Sequence, residues 1–319
     1  MIETASYRLR SDFDDLDISV TVVYPEVAPL AIVQFSHGMC GCKERFFPTM
    51  KHLASMGFIC VANDHRGHGE SIRNDDDLGF MYKGGYKALV ADMRKVTEDI
   101  KGRHPDLPFF LIGHSMGSLA ARVYVKECDE GLDGLVICGS PSRNPFSILG
   151  LALSSILPGR HRMGLTQRIT SNGFNRRFRK EGHQAWTCSD PDVRKAFRDN
   201  PKCNFAFTAN ASKALMHLMT ETYSLKGWNV TRPDLPVLFL TGEDDPCIKS
   251  MKKLNDSIEH MKKVGYRNIR SITYPGMRHE ILNERERESV WKDIGHFIEA
   301  CRLVKASCAS YDSFTHPSS

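Results

Sequence analysis

PFFLIGHSMGSLAARVYVKE (108–127) decides the fold. Its first half is a short apolar run, of the kind that fills a central strand covered on both faces. Its second half, SLAARVYVKE, reads as a helix whose small leading residues allow close packing on a sheet. Between them stands G-x-S-x-G, made by Gly113, Ser115 and Gly117. A serine on a sharp strand-to-helix turn is held in a strained backbone, and the flanking glycines leave room where larger side chains would clash. The helix start also aims backbone N–H groups at any anion that develops there. The flanking elements matter more than the pattern, which alone also describes an ordinary glycine-rich turn. His114 sits on the same turn but points differently from Ser115, so it reads as a structural neighbour of the elbow.

Outward from this turn, short β-rich runs alternate with amphipathic helical ones. Strands are expected at 18–24 (ISVTVVY), 30–35, 58–62, 109–112, 135–138, 237–241 and 269–274. Helical stripes follow Leu89, Met93, Val96 and Ile100, then Met251, Leu254, Ile258 and Met261, then Val290, Ile294, Phe297, Ile298 and Cys301. The alternation predicts an α/β fold, a mostly parallel sheet with helices on both faces. Residues 141–230 break the rhythm and read as mostly helical. They hold fourteen Lys and Arg against five Asp and Glu, a net of +9 where the rest of the chain is −4. The expected organisation is therefore a core of 1–140 and 231–305, an inserted helical subdomain at 141–230, and a frayed, aperiodic tail at 306–319.

Composition narrows the class. A chain of 319 residues with 41% hydrophobic and 25% charged residues is globular and needs no staples. A net charge of +5 does not imply nucleic acid. No apolar run approaches the ~18 residues that span a bilayer, and the first residues carry no readable signal peptide. Ten scattered cysteines then read as reduced thiols of a cytoplasmic protein. Cys40 and Cys42 lack the second pair that a zinc site needs, so no metal or organic cofactor is expected.

A serine hydroxyl is a weak nucleophile and needs an imidazole to take its proton. Enzymes with such an elbow run serine, acid, histidine along the chain. After position 217, His260 and His296 fall within helical stripes and His316 in the tail, whereas His279 follows the strand 269–274 through a turn. That places it at the strand's C-terminal end, where open α/β sheets bind ligands. The acid belongs at the end of the preceding strand, in Gly242-Glu243-Asp244-Asp245-Pro246. Asp245 is the choice for orienting the imidazole, with Asp244 still open. The first buried strand ends in Ser36-His37-Gly38-Met39. That loop and the residue after the serine nominate the backbone N–H groups of Met39 and Met116 as an oxyanion hole, with Gly38 allowing close approach.

Together, HGM (37–39), NDHRGHGES (63–71), GHSMG (113–117), GEDDP (242–246) and GMRHEILNE (276–284) resemble the α/β-hydrolase superfamily. More narrowly, they are similar to its monoacylglycerol lipase and lysophospholipase branch, grouped with serine-aminopeptidase-like hydrolases. The resemblance spans almost the whole core in the family's order. It implies Ser115 as nucleophile, Asp245 as acid, His279 as base, and Met39 and Met116 as oxyanion donors. It also implies a structural role for the loop of His65 and His68, and a lid for the insert, whose Trp186 segment resembles lids of bacterial members. Met39-Cys40-Gly41-Cys42 departs from the family pattern and implies a site sensitive to thiol reagents.

The expected function is a serine ester hydrolase acting on a single-chain acyl lipid, without nucleic acid. The rivals are a same-triad aminopeptidase or short-chain carboxylesterase, and a non-catalytic binding protein of the same fold. Residues 146–157 (FSILGLALSSIL) carry no charge and precede a basic stretch. They suit a helix that lines an acyl tunnel or touches a membrane surface peripherally; equally, they suit a helix packed on the core beside a solvated basic face. Acyl length, headgroup and oligomeric state are not encoded in any motif.

Overall fold

The computed structural model describes residues 2–143 and 147–315. Phe146, the first residue of the apolar run, and the last four residues lie outside them. Eight strands form one sheet: β1 (Glu3–Arg10), β2 (Asp17–Tyr24), β3 (Ala31–Ser36), β4 (Phe58–Asn63), β5 (Phe109–His114), β6 (Gly134–Cys138), β7 (Val237–Gly242) and β8 (Ile269–Tyr274). Their spatial order is β1-β2-β4-β3-β5-β6-β7-β8. From β4 to β8 all pairings are parallel, while β1 with β2 and β2 with β4 are antiparallel.

Each run expected as a strand is one. The addition is β1, whose sequence ETASYRLR alternates but is mostly polar. It lies at the sheet edge, where one face stays wet and no continuous apolar run is required. The central strands β3 and β6 are buried at every residue. Along each strand successive side chains enter opposite cores. Ile32 and Leu111 join one core, with α2 (Gly85–Arg103) and α3 (Met116–Glu127), whereas Val33, Phe110 and Ile112 join the other, with α1 (Phe47–Ser55) and the last helix.

Between β6 and β7, among the described residues, come four α-helices: α4 (Ser147–Ile156), α5 (Gly164–Phe174), α6 (Pro191–Asp199) and α7 (Ala209–Tyr223). Asp190 caps α6 by accepting from Asp192 N, and Pro191 opens its first turn. Thr208 caps α7 in the same way through Ala211 N. α7 buries Ala211, Ala214 and Leu218 in the core that α3 occupies, and α4 packs on α7. The chain closes with α8 (Met251–Lys263), between β7 and β8, and α9 (Arg287–Thr315). α9 continues past Cys301, where the apolar stripe read from the sequence ends. No helix among the described residues is long and apolar enough to cross a membrane.

Parallel topology puts the C-terminal ends of β3, β5, β7 and β8 on one sheet edge. The loops that follow carry Gly38, Ser115, Asp245 and His279.

Candidate active site

Ser115 stands between β5 and α3 at φ 54° and ψ −119°. This left-handed φ is costly for a side chain with a Cβ, and the turn is held by its neighbours. Ser115 N donates to Cys138 O of β6 at 3.0 Å, and Ser118 N donates to Ser115 O at 2.9 Å. A Cβ added at Gly117 would overlap Ser36 O, so only glycine lets α3 approach β3 this closely. Gly113 faces the Gly117 backbone in the same tight turn.

The three widely separated side chains meet. His279 Nε2 is 2.8 Å from Ser115 Oγ, and His279 Nδ1 is 2.9 Å from Asp245 Oδ2. The other Asp245 oxygen accepts from Cys247 N at 2.8 Å. Asp245 and His279 are buried. Asp244, the alternative acid, turns outward and pairs with Arg177 at 2.6 Å. Burial acts to lower the His279 pKa, but the adjacent Asp245 carboxylate outweighs it and holds the imidazole well above its ordinary value. Cys247 Sγ lies 4.0 Å from His279 Nε2. Burial pushes this thiol up to about 11, so it stands beside the imidazole as a neutral group near pH 7. Asp245, Cys247 and His279 could in principle share a cation. Hydrogen bonds within the chain already engage both carboxylate oxygens and both ring nitrogens.

Among the described residues, no protein carbonyl engages the Met39 or Met116 amide. Met116 begins α3, so its N–H is one of the helix's free first-turn donors. Gly38 abuts the serine: a Cβ there would lie 3.1 Å from Ser115 Cβ. His37 fixes this loop. Its Nε2 accepts from His65 N at 2.9 Å and its Nδ1 donates to Gly38 O at 2.8 Å, which assigns the neutral Nδ1–H tautomer. Burial lowers its pKa to about 4. His65 and His68 pack around the His37 ring behind the loop. His114 donates from Nε2 to His279 O at 3.0 Å, so it braces the imidazole-bearing loop. Burial, then the neighbouring His279, lowers the His114 pKa to about 4.

These groups open on a cavity of about 980 Å³. One wall is apolar, with Met163, Phe205, Phe207, Leu215, Met216 and Met219. Such an arrangement can activate a hydroxyl, hold a developing oxyanion and shelter an apolar chain.

The family model for serine aminopeptidase, S33 (Hydrolase_4) matches residues 27–286. The chain belongs to this family. It is an α/β-hydrolase. It is 24% identical over 294 residues to a monoacylglycerol lipase of Mycolicibacterium smegmatis, covering 88% of this chain and 93% of the relative. Among solved structures, a thermostable carboxyl esterase from Bacillus coagulans in complex with glycerol superposes with a TM-score of 0.85. It is 24% identical, over 95% of this chain and 100% of that one. A soluble variant of monoglyceride lipase from Saccharomyces cerevisiae, in complex with a substrate analog, gives a TM-score of 0.71. It is 18% identical, over 94% and 97% of the two chains.

Some site residues carried no signal strong enough to assign them a place. The Trp186 ring packs on the His279 ring at 5.2 Å and donates from its indole N–H to Ser171 Oγ at 3.0 Å. Arg45 pairs with Glu280, which follows His279, and lies over the Phe197 ring. Each is a contact between the insert or an early loop and the far end of the chain, which no local pattern encodes. The thiols argue against reagent sensitivity. Burial pushes Cys40 up; contact with Cys203 Sγ at 3.3 Å, together with burial, pushes Cys42 up. Both stay protonated and weakly nucleophilic near pH 7.

Proposed function

We propose that this carboxylic ester hydrolase cleaves a single-chain acyl lipid, a monoacylglycerol or a lysophospholipid, through an acyl-enzyme on Ser115. The observation that carries the reading is the hydrogen-bonded series Ser115–His279–Asp245 at the mouth of a large, partly apolar cavity. Ser115 Oγ attacks the ester carbonyl as His279 Nε2 takes its proton. Asp245 holds the ring and stabilises the imidazolium. The oxyanion rests on the Met39 and Met116 amides, each worth roughly 3–4 kcal/mol in the transition state. His279 then protonates the leaving alcohol, the C–O bond breaks, and water cleaves the acyl-enzyme by the same route.

The family's name raises the aminopeptidase alternative. Such an enzyme must hold a substrate ammonium against a carboxylate. Among the described residues, Glu181 and Glu280 are the carboxylates in the cavity wall, and arginines already claim both: Arg278 for Glu181, Arg45 for Glu280. A short-chain esterase needs less volume than this cavity has. A purely binding role leaves the Ser115–His279 hydrogen bond without a purpose.

Residues 141–230 act as a lid in this reading. Ile156, Leu165 and Ile169 are exposed at 79%, 75% and 63%, which supports contact of α4 and α5 with a lipid surface. Ser115→Ala is expected to lower hydrolysis of a p-nitrophenyl ester by at least about 10³-fold and to abolish labelling by a fluorophosphonate. Retained turnover would refute the assignment. A panel of acyl glycerols, lysophospholipids and amino-acyl amides of graded length tests the substrate class, and flat activity across chain length would count against an acyl tunnel.

A further inference from the structure

Six cationic side chains are buried among the described residues, and four face a carboxylate. Lys43 meets Asp64, Arg66 meets Asp92 and Asp14, Lys126 meets Glu221, and Arg278 meets Glu181. Arg122 and Arg194 do not. Arg122 lies inside the fold over the Tyr223 ring and does not border the cavity. Arg194 is 7% exposed and forms part of the cavity wall. Three of its five N–H donors reach backbone carbonyls: Nη1 to Cys188 O at 2.8 Å and Ser189 O at 3.1 Å, Nη2 to Glu181 O at 3.2 Å. Carbonyls take three of its hydrogen bonds but leave its charge unneutralised, which is costly for a buried guanidinium.

Arg198 lies one turn further along α6, on the face that also carries Arg194 and Phe197 to the cavity. Among the described residues no carboxylate pairs with Arg198, nor with Arg168 of α5 in the same wall. The carbonyls that hold Arg194 belong to the segment joined to the His279 loop, where Glu280 N donates to Thr187 O at 2.7 Å. The cavity that Ser115 lines thus has spare positive charge in its wall, while its two carboxylates are already matched.

We propose that Arg194 and Arg198 form a phosphate-binding site in this cavity, and that the ester substrate is a lysophospholipid bearing a phosphate headgroup rather than a neutral monoacylglycerol. The substrate half of this proposal rests on the lipase reading above. The guanidinium fork matches phosphate oxygens in pairs, and the Arg198 fork is uncommitted. Arg194 contributes charge and its two remaining donors.

The test uses the full-length Ser115→Ala protein and two non-hydrolysable ethers of equal short chain length, one an alkyl lysophosphatidylglycerol and one an alkylglycerol. Titration calorimetry at low ionic strength is expected to show the phosphate-bearing ether binding at least about tenfold more tightly, a difference of 1.4 kcal/mol. Arg198→Gln is expected to remove most of that preference and leave alkylglycerol affinity unchanged. Equal affinity for the two ethers, or equal loss of both in Arg198→Gln, would overturn the proposal. Inorganic phosphate separates the sources. Competition confined to the phosphate-bearing ether supports the headgroup site, whereas phosphate binding without any preference between the ethers means a free-anion site and sinks the headgroup claim. Failure of the native enzyme to hydrolyse either parent ester would remove the lipase reading while leaving this binding preference measurable.

Discussion

Ser115 holds a backbone conformation that costs about 1–3 kcal/mol, and the surrounding hydrogen bonds and glycine contacts keep it there. The gain is a hydroxyl lifted clear of the sheet, 2.8 Å from His279 Nε2. In the proposed reaction the imidazole has to be neutral before it can accept the serine proton. Asp245 raises the His279 pKa, so the proton must leave at a higher pH than an ordinary imidazole requires. The acid limb of kcat/KM is therefore expected to have its midpoint above about 6.5, with activity falling as pH drops through it. In Asp245→Asn the carboxylate is gone. The midpoint is expected to move down, and kcat to drop by about 10⁴-fold because the amide no longer holds the productive tautomer. A pH–rate profile of both proteins checks the two effects, and an unmoved midpoint would break the link between Asp245 and the base.

At the scale of elements, the insert is not uniformly separable from the sheet. Its middle is welded to the loop of His279. Arg278 Nη1 donates to Ala185 O at 2.6 Å, Arg278 Nη2 reaches Glu181 at 2.7 Å, and Ser189 N donates to Glu284 at 2.8 Å. The Arg278 guanidinium also lies 4.0 Å from the Phe178 ring centre. Movement that admits a lipid is thus expected in α4 and α5 rather than in residues 181–189. Arg278→Met removes the ion pair and orphans a buried carbonyl. It is expected to cost about 2 kcal/mol in urea unfolding, since Glu181 is half-exposed and its charge partly solvated. The same variant is expected to lower kcat for a short ester, because the His279 loop loses its brace. Unchanged stability together with unchanged kcat would show the weld to be ornamental.

Across the whole molecule, five buried histidines respond to acid together. Burial lowers His37, His114 and His260 to about 4, and also lowers His65 and His68 well below the ordinary imidazole value. A histidine whose folded pKa lies below its unfolded value near 6.5 stabilises the fold fully above that value. The stabilisation is lost as pH falls from about 6.5 toward the folded pKa, because the unfolded chain binds the proton more readily. Asp64, raised to about 6 chiefly by burial, Asp92, also raised by burial, and His279, raised by Asp245, pull the other way, three groups against five. The melting temperature is therefore expected to drop by at least about 5 °C between pH 7 and pH 4.5. A flat melting curve over that range would contradict the burial of these rings.

Local pattern was enough for the strands, the elbow, and the choice of Ser115, Asp245 and His279 as residues to bring together. Each of these is written in neighbouring residues: an apolar run, a glycine two positions from a serine, an acid or a histidine at a strand's end. The edge strand β1 escaped because half-wet strands need no apolar run. The outward turn of Asp244 to Arg177, the packing of Trp186 on His279 and the unneutralised charge of Arg194 came only with the tertiary structure. The first two depend on which side chains the insert lays against loops more than 30 residues away, the third on the backbone carbonyls folded around Arg194, and no sequence period records contacts that only folding makes.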